Sequence, residues 1–134
     1  MDTTVIDYGI GNLYSVRRAL EHCGASVRLS HDPQEIERAP RLVLPGVGAF
    51  GAGMKALRES GFEEPLIQAA GAGIPLLGIC LGMQYLFESS DEMGDHRGLG
   101  LLPGRVTRFA ANGLKVPHMG WNQLNIRQNS PLLD

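Results

Sequence analysis

A long stretch without a charged side chain, residues 65–87, is the feature that most limits how this chain can fold. A transmembrane helix needs about 20 apolar residues, so the length alone would allow one. However, several glycines, Pro75 and two glutamines interrupt the stretch. Small and aliphatic residues without charge are typical of a parallel strand that is covered on both faces. We therefore predict a helix end, a turn, a central buried strand and the start of another helix, and no membrane span.

Strand and helix patterns alternate along most of the chain. Short apolar runs predict strands at residues 3–7, 25–29, 41–44 and 74–79. Between them, apolar spacing and capping residues predict helices: one capped by Asn12 and ended by Gly24, a short one opened by Asp32-Pro33, and others at 54–59, 64–70 and 81–87. This alternation predicts an α/β fold with an open, mostly parallel sheet and helices on both faces.

The pattern changes after Ser89. Residues 89–100 are polar and contain glycine, which predicts a loop. Residues 105–109 alternate in polarity, Asn112-Gly113 is a strong hairpin turn, and 114–116 and 123–126 read as further strands. We therefore predict an antiparallel β segment after about residue 104. The length fits one domain, residues 1–134.

Charge and cysteine content exclude several classes of protein. The 12 basic and 14 acidic residues are dispersed and give a net charge of −2, which argues against a nucleic-acid binder. The N-terminus has no signal-peptide pattern, and Cys23 and Cys80 match no metal or redox spacing. We expect free thiols, a cytoplasmic location, no cofactor and no metal. The polar residues Asp91, Glu92, Asp95 and His96 are interpreted as a solvated loop rather than a metal site.

The strongest chemical signal is Gly78-Ile79-Cys80-Leu81-Gly82. A cysteine between glycines, where a strand meets a helix, is typical of a nucleophile elbow, a sharp turn that exposes the reactive atom. Free N–H groups at the start of the helix favour a thiolate, and the Leu81 N–H is placed to stabilise an oxyanion. Cys80 is therefore the predicted nucleophile. Cys23 lies on the apolar stripe of a helix and is interpreted as a core residue.

A glycine-rich loop after the third strand is the second candidate site. Residues 45–51 contain G-x-G-x-x-G, the pattern of dinucleotide-binding loops. The loop does not follow the first strand, and no acidic residue ends a strand about 20 positions later, so a nucleotide site is disfavoured. Loops after adjacent parallel strands share one edge of the sheet. The amides of this loop are therefore predicted to form the second half of an oxyanion hole beside Cys80.

The remaining candidates carry weaker signals. A cysteine nucleophile needs a positioned base, and none of the four histidines shows a signature that identifies one. Trp121 fits either the core or a surface that anchors a partner.

The motif at residues 78–84, Gly-Ile-Cys-Leu-Gly-Met-Gln, resembles the nucleophile motif of class I glutamine amidotransferases. Three more segments resemble one branch of that family, the glutaminase subunits of imidazole glycerol phosphate synthase in histidine biosynthesis. They are Asp-Tyr-Gly-Ile-Gly-Asn-Leu-Tyr-Ser-Val at 7–16, Leu-Pro-Gly-Val-Gly-Ala-Phe at 44–50 and Lys-Val-Pro-His-Met-Gly-Trp-Asn at 115–122. The resemblance extends to about residue 125.

This resemblance implies a function and a partner. Cys80 would attack the side-chain amide of glutamine and release ammonia, with the amides of Leu81 and Val47 at the oxyanion. Gly48 and Gln84 would contact glutamine. A barrel-shaped cyclase subunit would form a heterodimer with the chain and receive the ammonia. The residues implied at that interface are Asn12, His118, Met119, Trp121 and Asn122.

The resemblance also implies a histidine and a glutamate that complete the triad near the family's C-terminus, and no residue here corresponds to them. We therefore expect a truncated, incomplete sheet with an open edge, low activity, and poor solubility or association with a partner. Two alternatives remain open: a non-catalytic module that only docks on the synthase, and the glutaminase of another class I amidotransferase.

Overall fold

The computed structural model describes residues 1–110, 113 and 115–130. Its first sheet contains four parallel strands: β1 (Asp2–Ile6), β2 (Ser26–Ser30), β3 (Leu42–Gly46) and β4 (Leu76–Cys80). Their order across the sheet is β2-β1-β3-β4. Because the strands are parallel, the ends of β1, β3 and β4 meet at one edge, where the segments that follow them lie side by side.

One or more helices follow each of these strands. They are α1 (Leu13–His22), a 3₁₀ helix (Pro33–Arg38), α2 (Phe50–Glu59), α3 (Glu63–Gly71) and α4 (Leu81–Gln84). The predicted caps are confirmed: the Asn12 side chain accepts a hydrogen bond from the Ser15 amide, and the Asp32 side chain accepts one from the Gln34 amide. None of the helices in the described residues is long and apolar enough to cross a membrane.

The main core lies between the sheet and helices α2 and α3. Alternate strand residues point into it because side chains of a strand alternate between faces. Val5 and Val43 point to the opposite face and are also buried. Buried members of this core include Ile6, Leu42, Leu44, Phe50, Met54, Leu57, Phe62 and Leu66.

A second, mixed sheet follows α4. It contains β5 (Phe87–Ser90), β6 (His96–Arg97) and β7 (Leu102–Val106), in the order β6-β5-β7. Strands β5 and β6 are antiparallel, whereas β5 and β7 are parallel. Two reversals of the chain separate β5 from β7, which is why these two run in the same direction. The α/β class with a mostly parallel first sheet is confirmed.

The helix predicted at 81–87 is wrong in length, since α4 ends at Gln84. The carbonyl oxygens of Tyr85 and Leu86 accept hydrogen bonds from the amides of Leu99 and Leu102, at 2.7 and 2.8 Å. These bonds to the second sheet replace the bonds that would continue the helix. The loop predicted at 89–100 is confirmed at 91–95 and 98–100 but is interrupted by two strands, because Ser89 and Ser90 of β5 pair with residues 97 and 96 of β6.

Three further expectations differ from the structure. Strand β4 lies at the edge of the first sheet rather than at its centre, because none of the described residues pairs with the side of β4 that faces away from β3. Leu77 on this strand is 45% exposed. Cys23 is exposed rather than buried, because it lies just after the last turn of α1. The strand predicted at 105–109 ends at Val106, and none of the described residues beyond it forms a strand. Asn112 and Leu114, part of the predicted hairpin, lie outside the described residues.

Candidate active site

Cys80 lies at the turn from β4 into α4, and its backbone angles are φ 54° and ψ −117°. A non-glycine residue with positive φ is strained by about 1–3 kcal/mol, and such strain is concentrated at functional sites. The side chain of Cys80 is exposed. Leu81, the first residue of α4, is buried beneath it. The thiol is therefore accessible from solvent at the carboxyl edge of the sheet.

Close packing at this turn explains the glycines on both sides of Cys80. A Cβ atom at Gly82 would collide with the carbonyl oxygen of Leu44 on β3. A Cβ atom at Gly78 would lie 2.5 Å from Cα of Met83. Any side chain at either position would push α4 away from the sheet. The two glycines thus let the helix start directly against the strands.

The glycine-rich loop lies beside Cys80, because Gly46 at the end of β3 pairs with Cys80 at the end of β4. A Cβ atom at Gly46 would lie 2.7 Å from the Gly82 nitrogen, so the loop and the elbow approach each other by backbone. Val47 is half exposed, and Gly48 has a φ of 93°. These positions bring the two predicted oxyanion segments together. The roles of the Leu81 and Val47 amides remain predictions.

Gln84 is the last residue of α4 and is half-buried. It follows Cys80 by four residues, at the other end of the single turn of α4. Gly48 is exposed and has open space where a side chain would be. Both positions are accessible to a small molecule at Cys80, and their contact with glutamine remains a prediction.

Two buried tyrosines lie beneath the loop. The Tyr8 hydroxyl donates a hydrogen bond to the Pro45 carbonyl at 2.8 Å, and the Tyr85 hydroxyl lies 3.5 Å from that of Tyr8. Burial raises the pKa of both phenols above the ordinary 10.0. For Tyr85, the hydrogen bond with Tyr8 and the nearby charges of Tyr8, Cys80 and Glu92 raise the pKa further. Both side chains are therefore neutral hydrogen-bonding groups at physiological pH.

Glu92 and His96 reach the other end of the loop, which the sequence did not reveal. A carboxylate oxygen of Glu92 accepts a hydrogen bond from the Phe50 amide at 2.8 Å, at the start of α2. The His96 ring lies so close to Gly51 that a Cβ atom there would collide with it. Within the part of the chain that the structure describes, no group of three or more His, Cys, Asp or Glu side chains could hold a metal ion.

The predicted interface residues fall into two groups. Asn12 caps α1 in the segment that follows β1. The second group, His118, Met119, Trp121 and Asn122, is exposed. The side-chain nitrogen of Asn122 lies 2.7 Å from Nε2 of His118. Trp121 is fully exposed, so the core interpretation of Trp121 is wrong. Use of these residues as an interface remains a prediction.

A family model, "Glutamine amidotransferase class-I", matches residues 4–133. The chain belongs to the class I glutamine amidotransferase family. The match includes the elbow at Cys80 and the glycine-rich loop, so the two segments described above are parts of an amidotransferase domain sequence.

Relatives and a solved structure agree with this membership. The chain is 51% identical to the "Imidazole glycerol phosphate synthase subunit HisH" of Salinibacter ruber, with 98% of the chain covered, and 54% identical to the protein of the same name from Bacillus licheniformis, with 96% covered. It spans about 63% of the length of each relative. A solved glutamine amidotransferase structure shares the fold, with a TM-score of 0.69 and 24% sequence identity. The match covers 82% of the present chain and 58% of the solved one.

Proposed function

We propose that this chain, as one glutamine amidotransferase domain, provides the glutaminase function of an imidazole glycerol phosphate synthase in histidine biosynthesis. The observation that carries the proposal is the exposed Cys80 in a strained elbow, paired in register with Gly46. The identity of about half of all positions to two synthase subunits supports this branch of the family. The chain acts in the cytoplasm in this proposal.

The proposed chemistry starts with the Cys80 thiolate, whose sulfur forms a bond to the side-chain amide carbon of glutamine. The resulting oxyanion accepts hydrogen bonds from the amides of Leu81 and Val47. Collapse of this intermediate breaks the carbon–nitrogen bond, and the nitrogen takes a proton and leaves as ammonia. Water then hydrolyses the glutamyl thioester to glutamate and regenerates the thiol. No histidine of this chain is assigned as the base.

Substrate and partner occupy different parts of the molecule in this proposal. Gly48 and Gln84 contact glutamine beside Cys80. A barrel-shaped cyclase subunit docks on Asn12 and on the segment 117–122 as the second member of a heterodimer, and it receives the ammonia. The exposure of Met119 and Trp121, at 87% and 102%, supports an interface there, because large apolar side chains at this level of exposure are typical of partner contacts.

The experiment uses a glutamine-shaped chloroketone, which alkylates accessible thiols slowly and reacts much faster with a cysteine beside which it binds as glutamine does. We expect one label per chain, at Cys80, and we expect L-glutamine but not L-asparagine to slow the reaction. Cys80→Ser should remove the label, and Cys23→Ser is the matched control because Cys23 is also an exposed free thiol. Equal labelling of both cysteines, without protection by glutamine, would contradict the proposal.

A second candidate function is a non-catalytic module that docks on the synthase. The exposed segment around Trp121 favours it independently of Cys80. Such a module would bind the cyclase subunit while its Cys80 reacted with the chloroketone no faster than Cys23. Replacing Trp121 with serine should then abolish binding, whereas Cys80→Ser should have no effect on it.

A further inference from the structure

A polar groove lies between the first sheet and the 3₁₀ helix that follows β2. Its volume is about 920 Å³, which is within the range of small-molecule sites. The first residues of β1 and β2 line it on one side, and the 3₁₀ helix and the turn before β3 line it on the other. The polar groove therefore lies toward the amino ends of the strands, whereas Cys80 lies at a carboxyl end.

The floor of the polar groove is part of a sheet face that is apolar farther along. Thr4 of β1 lies beside Leu42 of β3 in the strand register, and Leu42 belongs to the main core. On its other side Thr4 lies beside Arg28 of β2, whose guanidinium contacts Glu35 of the 3₁₀ helix. A strand face beneath a helix is normally apolar, because polar groups lose hydration there. Polar residues at these positions indicate that the face contacts water or a polar ligand.

Most charged groups of the polar groove already have partners within the chain. Arg28 pairs with Glu35 at 3.2 Å, and the Asp32 side chain caps the 3₁₀ helix. Among the described residues, Asp2 and Arg38 take part in no ion pair and no side-chain hydrogen bond. One carboxylate and one guanidinium are therefore available to a ligand.

Thr4 provides a further group for hydrogen bonding. It is only 7% exposed, and its hydroxyl forms no hydrogen bond within the part of the chain that the structure describes. In that same part, every fully buried polar side-chain atom does have a partner. The Thr4 hydroxyl therefore reaches open space, which the polar groove provides. A hydrogen bond made there is shielded from water and is stronger than one made at an open surface.

We propose that the polar groove binds a small zwitterion, a molecule with one carboxylate and one protonated amine. Arg38 binds the carboxylate, because the planar guanidinium donates to both oxygens. Asp2 binds the amine, and Thr4, two residues along the same strand face, accepts a second hydrogen bond from it. The lining contains two guanidinium groups and three carboxylates, a net charge of −1, which disfavours nucleotides and other polyanions. This proposal does not depend on the glutaminase function.

A series of ω-amino acids, with one to five methylene groups between the two charged groups, tests the proposal by saturation-transfer NMR on the dilute chain. We expect one length to bind most tightly, because Asp2 and Arg38 belong to different elements that fix their spacing. The carboxylic acid and the amine of that same length each carry one charge and should bind at least about tenfold more weakly. Equal binding of the zwitterion and either single-charge molecule would overturn the proposal.

Substitutions locate the bound zwitterion. Arg38→Gln and Asp2→Asn should each weaken its binding about tenfold, as expected when a charged hydrogen-bonding partner is lost. Arg38→Lys keeps the positive charge and should restore most of the affinity. Arg18→Gln is the matched control, because Arg18 is an exposed arginine of α1 without an ion pair among the described residues. Full affinity in Arg38→Gln, or an equal loss in Arg18→Gln, would contradict the assignment.

Alkylation distinguishes the polar groove from the site at Cys80, where a zwitterion resembling glutamine has a second place to bind. In a Cys23→Ser chain, N-ethylmaleimide adds a bulky group to the exposed Cys80 thiol and needs no bound glutamine to do so. We expect the affinity for the zwitterion to change less than about twofold after this reaction. Loss of binding on alkylation would place the ligand beside Cys80 and refute the polar groove as its site, with no bearing on the glutaminase function.

Discussion

Cys80 adopts backbone angles that favour glycine over every other residue, with φ at 54°. Replacing Cys80 by glycine should therefore relieve strain, whereas alanine should retain it. We predict that Cys80→Gly unfolds with a free energy about 1–3 kcal/mol higher than Cys80→Ala, measured by urea denaturation. Cys23, with a φ of −80°, provides the control. At Cys23 the order should reverse, so that the alanine variant is more stable than the glycine variant. If the two Cys80 variants showed this same order, the elbow would be unstrained.

The two buried tyrosines, Tyr8 and Tyr85, should make the free energy of unfolding fall as the pH rises in the alkaline range. Burial raises the pKa of Tyr8 and Tyr85 above the ordinary 10.0, so the folded state keeps both protons at a pH where the unfolded chain loses them. The stabilisation is complete below pH 10 and is lost as the pH rises beyond it, by at most about 1.4 kcal/mol per pH unit for each group. Urea unfolding at pH 8 to 11 should show this decline. Tyr85→Phe should make it less steep, and a slope unchanged by that substitution would contradict the assignment.

Cys80 and the loop at residues 45–51 could be found from sequence, because glycines on both sides of a cysteine and a glycine run after a strand are local patterns. Tyr8 and Glu92 could not. Their partners are the Pro45 carbonyl and the Phe50 amide, backbone groups 37 and 42 residues away. A backbone partner leaves no pattern in the side chains, so only the fold reveals it.

At the scale of elements, strands with apolar runs were predicted within a few residues, and errors arose where tertiary hydrogen bonds set the boundary. Helix α2 begins at Phe50 rather than at residue 54. The N-cap residue Ala49 makes no side-chain capping hydrogen bond, and Glu92 accepts the hydrogen bond of the Phe50 amide instead. The end of α4 is likewise set by bonds from the second sheet. Local propensity cannot indicate either boundary.

The contact between α4 and β3 depends on the absence of a side chain at Gly82. We predict that Gly82→Ala destabilises the fold by about 1–3 kcal/mol or more, because its Cβ atom would overlap the backbone of Leu44. Gly71→Ala is the control. That glycine ends α3 in open space, and alanine there should be neutral or stabilising by up to about 1 kcal/mol. Thermal unfolding of both variants measures the difference, and a Gly82→Ala chain as stable as Gly71→Ala would show that α4 does not pack as described.

At the scale of the whole molecule, two of the regions with exposed apolar side chains are suited to contacts between copies. Leu77 lies on the edge strand β4 and is 45% exposed, and in the segment 115–130 the side chains of Met119, Trp121 and Leu124 are each at least 78% exposed. A net charge of −2 provides little repulsion between copies. Unpaired strand edges and exposed apolar patches both promote association. We therefore predict that the isolated chain self-associates as its concentration rises, as measured by sedimentation velocity.

Three variants distinguish the two uncovered regions. Leu77→Lys places a charge on the edge strand, where lysine opposes pairing between copies, and should reduce association if β4 is the contact. The double substitution Met119→Ser and Trp121→Ser should reduce it if the segment 115–130 is the contact. Tyr14→Ser removes an equally accessible but isolated ring from α1, 73% exposed, and should change nothing. A wild-type chain that sediments as a monomer at every concentration and unfolds cooperatively would contradict the prediction, because exposed apolar surface would then have no measurable consequence. If the cyclase subunit docks on Trp121 as proposed, adding that subunit should prevent the self-association that the double substitution also prevents. Association through Leu77 should be unaffected by the cyclase subunit.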